Sequence, residues 1–316
     1  MRNKIDWSKY ATLAALIALV MFFSIVTDSF LTSVNIMNVL RQVAIIGMCS
    51  VGMTFVILTG GIDLSVGSVI GVSAVTAATL MAAGIHPILA CLAALVIGLV
   101  IGLINGVLIN ELEMFPMIAT LGMMTLLRGV AYLISGGKPV YGIPKSFLFL
   151  GQGYISYFPV PVIIMVIVFI LGFIILNKTV FGRTVYGTGG NQEASRLSGV
   201  SVKKVKYKIY AIEGILAAAA GIILVSRVNS GQPAAGQSYE MDIITACVLG
   251  GVSINGGEGK IGGVLIGVLI MGVLTNGMIL LNVNEFWQWV VKGSVLILAV
   301  AIDKLSQRYK AKVKTI

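Results

Sequence analysis

Apolar residues run through this chain in stretches of about 20, long enough to cross a bilayer as helices. Each stretch is closed by Gly, Pro, Asn or a cluster of charge, and they recur from one end to the other. The pattern predicts ten spans, beginning near Ala11, Ile36, Ser65, Ile88, Phe115, Val160, Tyr207, Met241, Ile261 and Trp287. The third and eighth are short and interrupted by Gly, which predicts partly non-helical backbone where they begin. The first run, ATLAALIALVMFFSIV, imitates the apolar region of a signal peptide. No small-residue cleavage site follows it, so it reads as a retained first span.

Composition supports this pattern. The 316 residues are 58% hydrophobic and 11% charged, with a mean hydropathy of +1.01, against about 25% charged residues in soluble chains. The expected fold class is an all-α polytopic membrane protein of about ten transmembrane helices, some of them short or broken at Gly. Residues 1–316 form a single transmembrane domain with one large inner loop at about 177–206.

The net charge of +10 reports orientation rather than nucleic-acid binding, because Lys and Arg collect in cytoplasmic loops. If both termini are inside, the inner segments hold Arg2, Lys4 and Lys9, then Lys178, Arg183, Arg196, Lys203, Lys204, Lys206 and Lys208. They also hold Lys260, and at the end Lys304, Arg308, Lys310, Lys312 and Lys314. Outer segments hold only Lys138, Lys145 and Arg227. The asymmetry predicts N-in and C-in. Lys203, Lys204, Lys206 and Lys208 are expected to meet anionic headgroups.

The chain lacks the groups of an enzyme. Its twelve acidic residues are scattered, no metal-ligand spacing occurs, and the lone His86 sits beside Pro87 in a turn. Cys49, Cys91 and Cys247 each lie in an apolar run and read as small buried residues. GTGGN, Gly187 to Asn191, lacks the following Gly-Lys-Ser/Thr of a phosphate loop, so any ATP must be bound by a partner. Charged groups within spans cost about 2.5 kcal/mol or more at mid-bilayer, which makes each a functional candidate or half of a structural pair. They are Arg41, Asp63, Arg128, Glu213, Asp242 and Lys292. Trp287 and Trp289 fit an interfacial aromatic belt. Gly60, Gly61, Gly67 and Gly71 recur at the offsets of Gly256, Gly257, Gly263 and Gly267, each set leading into a span, as in an internal repeat.

One polar stretch, TGGNQEASRLSGVSVKK (Thr188 to Lys204), interrupts the apolar pattern near mid-chain. It reads as a two-turn helix. Asn191 is a good N-cap and Glu193 suits the first turn. Ala194 and Leu197 make a small apolar face, and Gly199 suits the position after the C-cap.

LTGGIDLSVGSVIG (Leu58 to Gly71), FPMIATLGMMTLLRG (Phe115 to Gly129), GGNQEASRLSGV (Gly189 to Val200) and GQPAAGQSYEMDIITACVLGG (Gly231 to Gly251) resemble the permease subunits of ribose-type ABC sugar importers. The resemblance spans most of the chain. It implies a permease that is not itself an enzyme and binds no cofactor, moving a monosaccharide such as ribose, xylose, arabinose or galactose inward. Its partners would be a cytoplasmic ABC ATPase that binds ATP and Mg, an extracytoplasmic sugar-binding protein, and a second permease copy or a sister permease. It also implies that the short polar helix docks on the ATPase, through Asn191, Glu193, Ala194, Ser195, Leu197 and Gly199, with Ser195 standing where alanine is usual. Candidates for the pathway or gate are Asp63, Asn105, Asn276, Tyr239, Glu240 and Asp242. The competing expectations are the same machine for branched-chain amino acids, nucleosides or a furanose signal molecule, and an ion-coupled carrier that needs no ATPase.

Overall fold

The computed structural model describes residues 7–314, with the side chains of 12–305. Arg2 and Lys4 lie outside the described residues, as do the side chains of Lys9, Arg308, Lys310, Lys312 and Lys314. The helices are α1 (Trp7–Val26), α2 (Ser33–Leu58), α3 (Val66–Ala82), α4 (Pro87–Asn110), α5 (Pro116–Ser135), α6 (Phe149–Gln152) and α7 (Val160–Lys178). There follow α8 (Val180–Gly190), α9 (Gln192–Leu197), α10 (Val202–Val228), α11 (Tyr239–Leu249), α12 (Ile261–Leu280) and α13 (Glu285–Lys314). A two-residue hairpin, β1 (Tyr154–Ile155) with β2 (Phe158–Pro159), is the one sheet among the described residues.

A helix lies at every predicted span. Seven are long and apolar enough to cross a membrane: α2, α4, α5, α7, α10, α12 and α13 as far as Leu305. The described part of α1 and all of α3 are shorter apolar helices, and α11 is shorter still at 11 residues. The chain is an all-α polytopic membrane protein.

α2 is the centre of the bundle, buried without interruption from Val43 to Leu58. α10 lies against it, and α3 and α4 pack on α10. α4, α5, α7 and α13 form the outside, where Leu92, Val96, Ile118, Leu133, Ile170, Phe173, Ile297 and Leu298 are exposed. An outer layer of this composition suits hydrocarbon, which solvates Leu and Ile as well as a protein core does.

Where α4 crosses α10, Gly98, Gly102 and Gly106 fall four residues apart on one face. A Cβ on Gly98 would overlap the carbonyl of Gly214, and one on Gly102 would overlap the carbonyl of Tyr210. On the other helix, a Cβ on Gly214 would overlap the Gly98 carbonyl. The two backbones therefore touch directly, the arrangement small residues permit in membranes.

Loops gather at two ends. At one, Gly257 N donates to Leu58 O (2.8 Å), and Lys203 pairs with Glu111 (2.8 Å). At the other, Val140 and Gly231 exchange backbone hydrogen bonds, and Gly151 N donates to Ser226 Oγ (2.7 Å).

Three local expectations change. The inner loop contains a helix, α8, that its glycine content did not suggest. α10 starts at Val202 rather than near Tyr207, because Lys203, Lys204, Lys206 and Lys208 are good helix formers on its first two turns. Lys203 is bound to Glu111, and Lys208 sits 5.7 Å from the centre of the Phe181 ring, so these two lysines have protein partners besides any headgroup. Cys91 is half-buried, unlike Cys49 and Cys247, because it lies toward the outside of α4.

The glycine crossing makes a direct prediction. Gly102→Leu should lower the unfolding free energy of the detergent-solubilised protein by about 1–3 kcal/mol, the usual cost of overpacking. Gly122→Leu, where a side chain meets open space, should leave it unchanged; equal thermal unfolding of the two variants would remove the crossing as a stability determinant.

Candidate functional site

The polar stretch near mid-chain is built from two short helices. Thr179 caps α8, its hydroxyl accepting from Gly182 N (3.1 Å). Phe181, Val185 and Thr188 form the inner face of α8 at helical spacing. Val185 and Thr188 are buried, and the Phe181 ring stacks on Phe55 (6.3 Å, 20°). Tyr186 donates to Gly259 O (2.9 Å), fastening α8 to the turn before α12. That i, i+4, i+7 stripe was in the sequence; Gly187, Gly189 and Gly190 obscured it.

Asn191, with φ −158° and ψ 103°, ends α8 and begins α9. Its Oδ1 accepts from Ala194 N (2.8 Å). After Ser198, Gly199 takes φ +84°, its N–H donates to Arg196 O (3.0 Å) and Val200 N donates to Ser195 O (3.0 Å). This pair of bonds closes the helix in a Schellman turn, which only a left-handed residue allows. Arg196 holds Glu193 by two hydrogen bonds, from Nε (3.1 Å) and Nη2 (2.5 Å). That contact holds the Glu193 carboxyl below its usual range. The pairing is therefore present at neutral pH and is lost as the pH falls through the lowered value.

α9 has no buried residue. Leu197 is 76% exposed, and Ala194 and Ser195 border a groove of about 450 Å³ between α8 and α9, with Val180, Gly187 and Val200 opposite. The site is a six-residue helix fixed at both ends with its apolar side uncovered.

Beneath it, three glycine turns meet. A Cβ on Gly189 would overlap the carbonyl of Leu58 and lie 2.6 Å from Gly257 N. One on Gly257 would lie 2.8 Å from Gly190 Cα, and one on Gly256 2.9 Å from Gly60 N. Gly60, Gly256 and Gly257 have positive φ. The end of α8, the break after α2 and the turn before α12 are thus in backbone contact, and the two glycine sets that echo each other in sequence face one another here. Their second halves also act alike. Gly67 and Gly71 admit the carbonyls of Gly236 and Ala235 against α3, while Gly263 and Gly267 admit those of Gly250 and Ala246 against α12.

The structure sorts the pathway candidates into separate places. Asp63 Oδ1 accepts from Ser65 N (2.8 Å) and Oγ (2.6 Å), while Asn105 donates to Ser65 Oγ (3.0 Å) and Asp63 Oδ2 (3.5 Å). Asn276 is elsewhere, bonded reciprocally to Asn35 (2.9 and 2.8 Å) as a tie between α2 and α12. Tyr239, Glu240 and Asp242 begin α11, where Asp242 pairs with Lys292 (2.7 Å). Arg128 donates to the carbonyls of Ala235 (2.9 Å) and Pro233 (3.2 Å), and Arg41 to Gln152 O (2.8 Å). Glu213 is fully buried beside Gly52, and neither carboxylate oxygen has a partner among the described residues.

α11 is only 11 residues long, about half the length of a span. Residues 231–236 descend along α3 without forming a helix, from beside Ala78 (Gly231) to beside Gly67 (Gly236), and the helix starts only there. Non-helical backbone at membrane depth is tolerated where protein or a cavity covers it. Here Arg128 covers one side. Among the described residues, no group of three or more His, Cys, Asp or Glu side chains is placed to hold a metal ion.

No solved structure matches the chain. Over 298 residues it is 49% identical to the ribose import permease protein RbsC of Bacillus subtilis, covering 94% of this chain and 92% of that one. It is 44% identical to RbsC of Escherichia coli K12 over 300 residues, 94% of each chain. It is 41% identical to the L-arabinose transport system permease protein AraH of E. coli K12 over 304 residues, 96% of this chain and 93% of that one. Residues 35–300, from the first turn of α2 well into α13, match the family described as branched-chain amino acid transport system / permease component, and this chain belongs to that family.

Proposed function

We propose that this chain is the transmembrane permease of an ATP-driven ABC importer that moves a monosaccharide, a ribose-like pentose or a hexose, into the cytoplasm of a bacterium. The observation that carries the reading is the identity to ribose and arabinose permeases across more than nine-tenths of this chain. The family description names branched-chain amino acids, but the close relatives are sugar permeases.

The remaining parts belong to the same proposal. Residues 1–316 are one membrane domain crossing ten times, with both termini inside. The grouping of loops at two ends is what alternating crossings require, and the half-helix α11 with residues 229–238 makes one of them. α9 is the coupling helix of the inner loop, about 177–206. Asn191 and Gly199 fix its ends, Glu193 orients its first turn, and Ala194, Ser195 and Leu197 present the side that meets a cytoplasmic ABC ATPase. ATP and Mg belong to that ATPase. An extracytoplasmic binding protein delivers the sugar, and a second copy or sister permease completes the pathway. Tyr239, Glu240 and Asp242 line or gate the route at α11. Asp63 and Asn105 hold the inner break, and Asn276 ties α12 to α2.

Coupling requires the moving helix to be joined to the pathway, and the glycine junction supplies the joint. Glu193→Lys and Gly199→Pro should cut sugar uptake at least about tenfold while the protein still reaches the membrane, since each loses a transition the ATPase must drive. Normal uptake by both variants would remove α9 from coupling. Gly189→Val should leave the cap and Schellman bonds of α9 in place but force Leu58 and Gly257 apart. ATP hydrolysis by the assembled importer should persist while uptake falls; parallel loss or parallel retention of the two would show that the junction does not transmit.

A further inference from the structure

A cavity of about 460 Å³ opens at the end of the bundle where Val140 meets Gly231. It runs down between Ala74 of α3, the last turns of α10 and the non-helical stretch 230–238, and ends at Tyr239, where α11 begins. Its volume is in the range of small-molecule sites, whose walls are part apolar with a few placed polar groups. Trp289 of α13 lies against it, 49% exposed. Phe286 meets that indole edge-on (5.6 Å, 78°), an arrangement that leaves an indole face for another partner. Gln232, Gln237, Ser238 and Glu285 complete the polar wall. The Gln232 side chain donates to Ser230 Oγ (3.3 Å), its one hydrogen bond among the described residues. Neither the Gln237 side-chain amide nor the Glu285 carboxylate is hydrogen-bonded to another described residue.

The backbone explains why a cavity is here. Asn229, Gly236 and Ser238 have φ between +55° and +72°, so the stretch cannot continue as a helix. Arg128 takes its carbonyls on one side, and on the other an opening to water is what such backbone requires. The chemistry of the wall selects among ligands. No Lys or Arg lines it, so a carboxylate or phosphate would be buried without a counter-charge. The start of α11 offers little substitute, because Glu240 and Asp242 already lie in its first turn. A neutral ring with hydroxyls at its edge and C–H groups on its face meets no such penalty. Amides can both donate to and accept from hydroxyls, and the indole offers a flat apolar surface.

The geometry points to this cavity as a monosaccharide site within the permease itself, a receiving station between the binding protein and the inner gate, with Trp289 under the sugar ring and Gln237 on its hydroxyls. The site would discriminate against amino acids, so selection would not rest with the binding protein alone. This rests on the sugar-importer reading above.

The test uses the whole importer in proteoliposomes, permease with its ATPase and sugar-loaded binding protein, and labelled D-ribose or L-arabinose as the probe. Two rates are read, sugar uptake and ATP hydrolysis stimulated by the binding protein. Trp289→Ala and Gln237→Leu should lower uptake by about tenfold, the scale of losing one well-placed contact group. Stimulated hydrolysis should stay within about twofold of the wild type, since docking and coupling are untouched. Trp289→Phe should recover part of the uptake, and Trp287→Ala, outside the cavity, should transport normally. Wild-type uptake by both cavity variants would overturn the inference and leave the importer reading intact. Loss of hydrolysis in step with uptake would also overturn it, because the residues would then serve docking or folding. Failure of the wild type to import either of these pentoses or a labelled hexose would instead bring down the importer reading, and the inference with it.

Discussion

In hydrocarbon a helix gains nothing by hiding Leu or Ile from its surroundings, so close contact between backbones has to hold a bundle such as this one together. Glycine permits that contact at two kinds of place. Along helices, Gly98, Gly102 and Gly214 let α4 and α10 touch over the middle of the protein. At helix ends, Gly189, Gly256 and Gly257 let three turns share one small volume. The first kind makes a rigid wall. The second brings the end of α8, the break after α2 and the turn before α12 into backbone contact.

Polar groups follow the same division. Asp242 with Lys292, Asn35 with Asn276, and Arg128 with two carbonyls each fix one element to another. Such pairs are hard to separate, since breaking one leaves a charge or amide without water to turn to. Glu213 is the exception, fully buried with both oxygens unpaired among the described residues. The irregular backbone lies at the other exception, α11, where residues 229–238 give up a helix and open a cavity. Arg128 and the Asp242–Lys292 pair fix the two sides of that break, while the Asn35–Asn276 tie holds α2 to α12 away from it.

The bundle was legible in the sequence because a bilayer imposes one length and one composition on each span, and all ten apolar runs became helices. α9 was legible to single residues. Asn191, Glu193 and Gly199 are local signals whose geometry depends on neighbours three or four positions away, and the structure places each as the pattern implied. What the sequence hid is long-range. Asn35 was not singled out, because only the fold brings it to Asn276, 241 positions away. α8 was hidden by glycines needed for contact with Leu58 and Gly257, so packing overrode propensity there. Trp289 reads as an interfacial anchor in the sequence, and only the fold places it on the lining of one cavity with Gln232 and Gln237. The six pathway candidates read alike in sequence as polar residues in apolar surroundings, yet they occupy three sites with different partners.

On the proposed function, this chain is a conduit and a partner ATPase supplies the energy for transport. The most direct test is labelled sugar uptake into proteoliposomes holding the permease alone, under proton or sodium gradients, beside vesicles that also hold its ATPase and binding protein with ATP. The account predicts accumulation only in the complete set, and only while ATP is hydrolysed. Accumulation by the permease alone, driven by an ion gradient, would contradict it.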